Sequence, residues 1–251
     1  MEGIRKNMTA CIICRSENTA IVHRVDHQPL GRYGFASSAE QARAIAHDLS
    51  LQIHECNDCG FAWNATFEGK NVDYQGLPIL EAASHSKAYQ DYQDQSAIWL
   101  ADHCDRPLRS ALEIGGGSGY FLQQLAAEQK TIFEPSPEGQ AIPEGIRHIN
   151  RYFDASRDEV AAELVIMRQV LEHIPAPCEF IEALVARHAE GGFSAALNLY
   201  IEVPSHDQTR QAGRFYDFYY EHCNYFTLSS LARLADRCGG TLVHLSSAFN
   251  R

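Results

Sequence analysis

Hydrophobic positions change period along the chain, and the change marks out its parts. From residue 110 onward, short apolar runs alternate with stretches of helical period. Ala111-Leu112-Glu113-Ile114 predicts a strand, Tyr120 to Gln129 a helix, and Thr131-Ile132-Phe133 a second strand. Ile146-Arg147-His148-Ile149 predicts a third. Leu164-Val165-Ile166-Met167 reads as a buried strand, Cys178 to His188 as a helix, and Ala195 to Val203 as a long strand. Thr227 caps a helix running to Cys238, which Gly239-Gly240 ends, and Thr241 to Leu245 predicts a last strand. Such alternation predicts an α/β fold whose mostly parallel sheet is covered on both faces.

The earlier part has a different texture. Residues 1–70 hold short β-like runs, Ile21-Val22-His23 and Leu51-Gln52-Ile53-His54, and one helix from Ser38 to His47 with Ser37 or Ser38 as its cap. Residues 71–105 read as a bridge and then a helix, with Tyr89, Tyr92, Ile98 and Trp99 at roughly helical spacing. The expected organisation is a small domain at 1–70, a helical bridge at 71–105 and the α/β domain at 106–251.

Composition narrows the function. The 251 residues are 45% hydrophobic and 21% charged, with 21 Lys and Arg against 32 Asp and Glu, a net charge of −11. That balance disfavours a large nucleic-acid surface. No apolar run reaches membrane-spanning length, and the polar segment Met1 to Asn7 lacks a signal core. A cytoplasmic, reducing location is the expectation, in which the eight cysteines serve as thiols or metal ligands rather than disulfides.

Glu113-Ile114-Gly115-Gly116-Gly117-Ser118-Gly119 lies between a strand and a helix. Glycines there allow a tight turn and close approach of a ligand to the backbone. Glu134, in Phe133-Glu134-Pro135-Ser136, closes the next strand, about 20 residues on, as a ribose-binding acid does in a nucleotide-binding βαβ unit. The run resembles motif I of class I methyltransferases, with Glu113, Gly115, Gly117 and Gly119 in the pattern. The resemblance implies a Rossmann-like doubly wound sheet with S-adenosylmethionine over the glycines. It also implies Glu134 on the ribose and Asp154, after Tyr152-Phe153, at the adenine. An acid at Glu113 repels a pyrophosphate but suits a ligand carrying sulfonium and ammonium groups.

Two cysteine pairs stand out: Cys11-Ile12-Ile13-Cys14 and Cys56-Asn57-Asp58-Cys59-Gly60. Four thiolates in paired knuckles suit tetrahedral zinc, and leave no open position for catalysis. A redox dithiol needs only one pair, usually beside a βαβ unit, which neither has. A structural zinc is therefore expected, with an insertion between the knuckles. Cys104, Cys178, Cys223 and Cys238 are scattered and read as core or boundary residues.

Late in the chain, Val170-Leu171-Glu172-His173-Ile174-Pro175 follows a buried strand. His173 reads either as a cleft residue or as one that orders the loop. An aromatic segment from Phe215 to Phe226 contains Tyr219, Glu221 and His222. It reads as a packed loop over a sheet edge or as a site with a histidine base and a neighbouring carboxylate.

The motifs taken together resemble the C-methyltransferases of deoxysugar biosynthesis. The resemblance rests on the cysteine knuckles, the bridge helix, the glycine turn, Glu134-Pro135-Ser136, Val170-Leu171-Glu172-His173-Ile174, Glu202-Val203-Pro204 and Tyr219-Tyr220-Glu221-His222. It implies His222 as the base, with Glu221 and Tyr219 assisting, and a small keto substrate such as a nucleotide sugar. It also implies a tyrosine from the bridge, with Tyr74 the first candidate and Tyr89 its rival. The family pattern continues with another Rossmann-like domain and an antiparallel final strand, both absent from this sequence, so a truncated or shortened relative is expected. The alternatives are an O- or N-methyltransferase, or a non-catalytic zinc-containing scaffold.

Overall fold

The apolar run at 164–167 becomes the interior strand expected of it, and the rest of a parallel sheet is built around it. A computed structural model of the chain describes residues 10–30, 38–44, 48–72, 86–104, 107–136, 142–191 and 196–247. In chain order the strands are β1 (Thr19–Gln28), β2 (Leu49–Cys56), β3 (Ala62–Asn64), β4 (Leu108–Ile114), β5 (Ala127–Phe133), β6 (Ile146–Ile149), β7 (Leu164–Arg168), β8 (Asn198–Glu202) and β9 (Asn224–Tyr225). The helices are α1 (Ala39–Ala44), α2 (Lys87–Asp102), α3 (Tyr120–Gln124), α4 (Pro177–Glu190), α5 (His206–Ala212) and α6 (Leu228–Arg237).

The chain divides into two compact units that are not continuous in sequence. One comprises Met1–Asp73, Leu171–Phe180 and Val203–Arg251, and the other Tyr74–Val170 and Ile181–Glu202.

The second unit is the α/β part. Its sheet has the order β6-β5-β4-β7-β8, and every pairing is parallel. β4 is central, and its C-terminal end opens directly into the glycine turn. Chain order reverses on either side of β4, which is the switch point where ligands bind in open α/β sheets. Ala97 and Leu100 of α2 and Phe121 and Leu122 of α3 bury against Leu108, Ile132, Leu164 and Ile166 of the strands. Ser86 caps α2 by accepting from the Tyr89 amide.

The first unit is an antiparallel sheet in the order β1-β2-β3-β9. Leu51, Ile53, Ala62 and Tyr225 form its buried side. The short strand β9 pairs Tyr225 with Ala62 and Asn224 with Trp63. Thr227 caps α6 through a capping box with Ser230, as its position before an apolar helix predicts.

Two expected elements are corrected. The helix expected from Tyr120 to Gln129 ends at Gln124, Leu125 is already extended at ψ 133°, and residues from Ala127 belong to β5. The local preference of Leu-Ala-Ala-Glu for helix yields to the parallel register from Leu108↔Ala127 to Ile114↔Phe133. The strand expected from Thr241 to Leu245 does not form: residues 241–247 carry no regular structure, and Val243 is 81% exposed. A β-branched run gains little from extension without a neighbour to pair with. The ends of the expected helix at Ser37 and 45–47 lie outside the described residues, as does the start of the last long strand at Ala195.

Candidate functional site

The glycine turn is conformationally exacting. Gly115, Gly117 and Gly119 have φ of 68°, 59° and 74°, the left-handed region that glycine adopts without steric cost. A Cβ on Gly115 would meet Val170 Cγ2 at 2.7 Å, and one on Gly116 would meet Glu113 Cδ at 2.5 Å. The backbone thus lies bare at the end of the central strand, forming a cradle that a side chain would fill. Glu134 closes it, accepting from the Gly117 amide at 2.7 Å and from the Ser136 amide at 2.8 Å. Each carboxylate oxygen keeps a further lone pair, so the acid can hold the turn and accept from hydroxyls as well. The expected cofactor residues Gly115, Gly117, Gly119 and Glu134 are therefore brought together.

Glu113 and Asp154 have other surroundings. Glu113 is 1% exposed and tucked beneath Gly116, where it shares the field of Arg168. Asp154 bonds within its own turn, accepting from the Ser156 amide and hydroxyl and from Arg157. These contacts, the Ser156 hydroxyl first, hold its carboxyl down at about 2.

Arg168 was not singled out by sequence reasoning. Its guanidinium donates to Glu202 at 3.0 Å, Gln93 at 2.6 Å and the Tyr89 hydroxyl at 3.1 Å, and lies 4.3 Å from the Phe121 ring centroid. Burial is the largest single effect and opposes its charge, but Glu202, Tyr89 and Glu113 together outweigh it, so its pKa is raised. Of the two bridge tyrosines, Tyr89 belongs to this network, and Tyr74 lies outside the described residues.

In the other unit, Cys11, Cys14, Cys56 and Cys59 bring four sulfurs within 4.8 Å of one another. Cys11 and Cys59 are 3.7 Å apart, and Cys14 and Cys56 are 3.5 Å apart. A zinc–sulfur bond of about 2.3 Å in a tetrahedron places its sulfurs about 3.8 Å apart, so the spacing fits such an ion. The Cys59 thiol stabilises the Cys11 thiolate, bringing Cys11 down to about 5 while Cys59 is pushed up. Around the knuckles, Cys178 and Arg237 donate to the Ile12 carbonyl. The Thr227 hydroxyl donates to the Cys59 carbonyl at 2.9 Å.

The same unit holds the expected catalytic residues. Tyr219, Glu221 and His222 precede β9 and are all buried. The Tyr219 hydroxyl is hydrogen-bonded to His222 Nε2. His173 Nδ1 donates to the Glu221 carbonyl at 2.8 Å, so His173 orders this loop. The Cys223 amide donates to the Glu172 carbonyl at 3.0 Å, and Asn224 Nδ2 to the carbonyls of Leu171 and Ile174. The segment 171–174 is thereby stitched to 221–224. Glu172 Oε1 is 3.9 Å from His222 Nε2, an approach across 50 residues of sequence that its motif does not by itself announce. The available signal was an acid beside His173 on the loop after a buried strand.

A family model described as a methyltransferase domain matches residues 87–245. The chain belongs to that family. Several solved methyltransferases are similar in fold. The plantazolicin methyltransferase BpumL, in complex with a pentazolic substrate analogue and S-adenosylhomocysteine, is 17% identical with a TM-score of 0.43, over 61% of this chain and 65% of that one. CalS10, an amino pentose methyltransferase from Micromonospora echinaspora bound to S-adenosylmethionine, is 14% identical with a TM-score of 0.38, over 51% of this chain and 58% of that one. An S-adenosylmethionine-dependent methyltransferase from Thermotoga maritima is 14% identical with a TM-score of 0.43, over 61% and 72%. The chain thus spans less than two thirds of the length of BpumL and of CalS10. No curated protein sequence matches it. No helix among the described residues is long and apolar enough to cross a membrane.

Proposed function

We propose that this methyltransferase-family protein transfers a methyl group from S-adenosylmethionine to carbon beside a ketone in a small molecule, such as a nucleotide-linked deoxysugar. The observation that carries the reading is the bare glycine turn at the end of the central strand, with three left-handed glycines tied to Glu134. When bound, S-adenosylmethionine supplies an electrophilic methyl group on a sulfonium. Gly115 to Gly119 receive it and Glu134 accepts from its ribose, while Asp154 is assigned to the adenine side.

His222 is the proposed base, removing a proton from the carbon next to the carbonyl. Tyr219, hydrogen-bonded to its ring, donates to the developing enolate oxygen, and Glu221 orients the loop. The enolate carbon then takes the methyl group. Base catalysis and charge stabilisation of this kind each lower such barriers substantially. We assign the four cysteines to a structural zinc, because four thiolates at these separations suit a tetrahedral ion and leave no open position.

Calorimetric titration with S-adenosylhomocysteine tests the reading. Micromolar binding that disappears in Gly117→Arg is expected, and a folded protein that binds none refutes it. Product analysis then separates carbon methylation from oxygen or nitrogen methylation. Wild-type turnover in His222→Gln with unchanged cofactor affinity removes the base assignment.

A further inference from the structure

We propose that Glu172, His173 and His222 form a second cation site, distinct from the four cysteines, which takes a divalent transition ion such as zinc. The three residues come from two segments far apart in sequence, the turn at 171–173 and the loop before β9. Their ligand atoms lie within 4.8 Å of one another. Glu172 Oε1 is 4.0 Å from His173 Nε2 and 3.9 Å from His222 Nε2. These separations are too long for direct hydrogen bonds. With metal bonds of about 2.1 Å, tetrahedral ligand atoms sit roughly 3.4 Å apart, so the two carboxylate–imidazole separations exceed that spacing by about half an ångström.

Proton placement supports the same reading. His173 Nδ1 faces the Glu221 carbonyl at 2.8 Å, and a carbonyl only accepts. Nδ1 therefore carries the hydrogen, and in the neutral ring Nε2 turns a lone pair toward Glu172. Metal-ligating histidines are commonly oriented by such a bond from the other ring nitrogen. Glu172 is 1% exposed and His222 5%, and a carboxylate buried this deeply is stabilised by positive charge placed against it. Two imidazoles and one carboxylate favour zinc or a similar ion over magnesium or calcium, and leave a position open. The Tyr219 hydroxyl, beside His222 Nε2, offers a further oxygen.

Occupation ties up the His222 nitrogen that faces Glu172, so zinc at this site slows base-dependent methyl transfer. That consequence, unlike the site, rests on the proposed role of His222.

The test uses the 251-residue chain loaded beforehand with one equivalent of zinc. Further zinc is titrated against a chromophoric chelator, and cobalt is followed by visible absorption. A second equivalent is expected, with cobalt bands that lack the near-ultraviolet thiolate charge-transfer feature. Glu172→Gln and His222→Gln should each weaken the second equivalent at least tenfold while retaining the first equivalent and the native circular dichroism. If Glu172→Gln fails to fold, His222→Gln decides alone. A single equivalent in the native chain overturns the proposal, as does a second equivalent that survives in a folded variant or shows the thiolate band. S-adenosylhomocysteine titration of the same samples is independent: its failure removes the methyltransferase reading and leaves the metal result standing.

Discussion

Replacing Glu134 with Gln separates the bracing of the turn by this carboxylate from the ribose contact proposed for it. One oxygen accepts from the Gly117 amide and the other from the Ser136 amide. A glutamine has one acceptor oxygen, so its amide nitrogen must face one of these backbone donors. Leaving a buried donor unsatisfied costs about 1–3 kcal/mol. At pH 7, urea unfolding of Glu134→Gln should show a loss in that range without a change in slope. The proposed ribose contact is a second, separable quantity. A hydrogen bond to a charged group contributes roughly 1.5–3 kcal/mol, so S-adenosylhomocysteine affinity should fall about 10- to 150-fold in calorimetry. A variant as stable as wild type refutes the account of the turn. A variant that is destabilised but binds the ligand with native affinity leaves Glu134 as a brace for the glycines and removes it from the ribose.

Other perturbations follow the same reasoning. Gly115→Ala forces a Cβ against Val170 at 2.7 Å and a side chain onto a φ of 68°, so about 1–3 kcal/mol of stability should be lost in urea unfolding. Arg168→Met leaves Glu202 without its buried partner, whose side chains are 8% and 15% exposed; a loss of about 3–5 kcal/mol is expected, partly restored by adding Glu202→Gln. Hydrogen bonds from Arg151 hold the Asp158 carboxyl below its ordinary 3.8. Its contribution is therefore complete above that value and is lost as pH falls through the lower folded value, so Asp158→Asn should flatten the acid limb of a stability–pH curve.

What the sequence made legible was local. Both cysteine pairs, the glycine turn and the Thr227 cap are each written within a few consecutive residues, and local backbone geometry suffices to place them. The buried strand at 164–167 was equally plain, because an apolar run bounded by polar residues has few other uses. What escaped depends on partners brought in from afar. Arg168 is explained by Gln93, 75 residues away, and Glu202, 34 residues away, and no spacing rule connects them. Glu172 likewise matters through His222. The overextended helix after Tyr120 and the absent strand at 241–245 show local propensity yielding to pairing: β5 begins early because β4 offers it a register, and 241–245 stays irregular.

The fold links the four-cysteine cluster to the loop that carries the proposed base. Cys56 ends β2, the turn to Cys59 leads into β3, and β3 pairs with β9, the strand that follows Tyr219 and His222 at once. The Asn64 amide donates to the Cys223 carbonyl, and Thr227, after β9, donates back to the Cys59 carbonyl. The knuckle and the His222 loop are therefore two ends of one short hydrogen-bonded path. Structural zinc contributes roughly 10–16 kcal/mol in small metal-dependent folds, comparable with the whole stability of a domain at about 5–15 kcal/mol. Removing the ion proposed there by Cys56→Ser with Cys59→Ser should free β3 and with it the loop carrying Tyr219 and His222. The glycine turn and Glu134 are held by the parallel sheet and its own hydrogen bonds. Turnover should therefore collapse while S-adenosylhomocysteine still binds within a few-fold of native affinity. Loss of both together would mean that the metal holds up the entire fold, and turnover near wild type would mean that the knuckle does not brace His222.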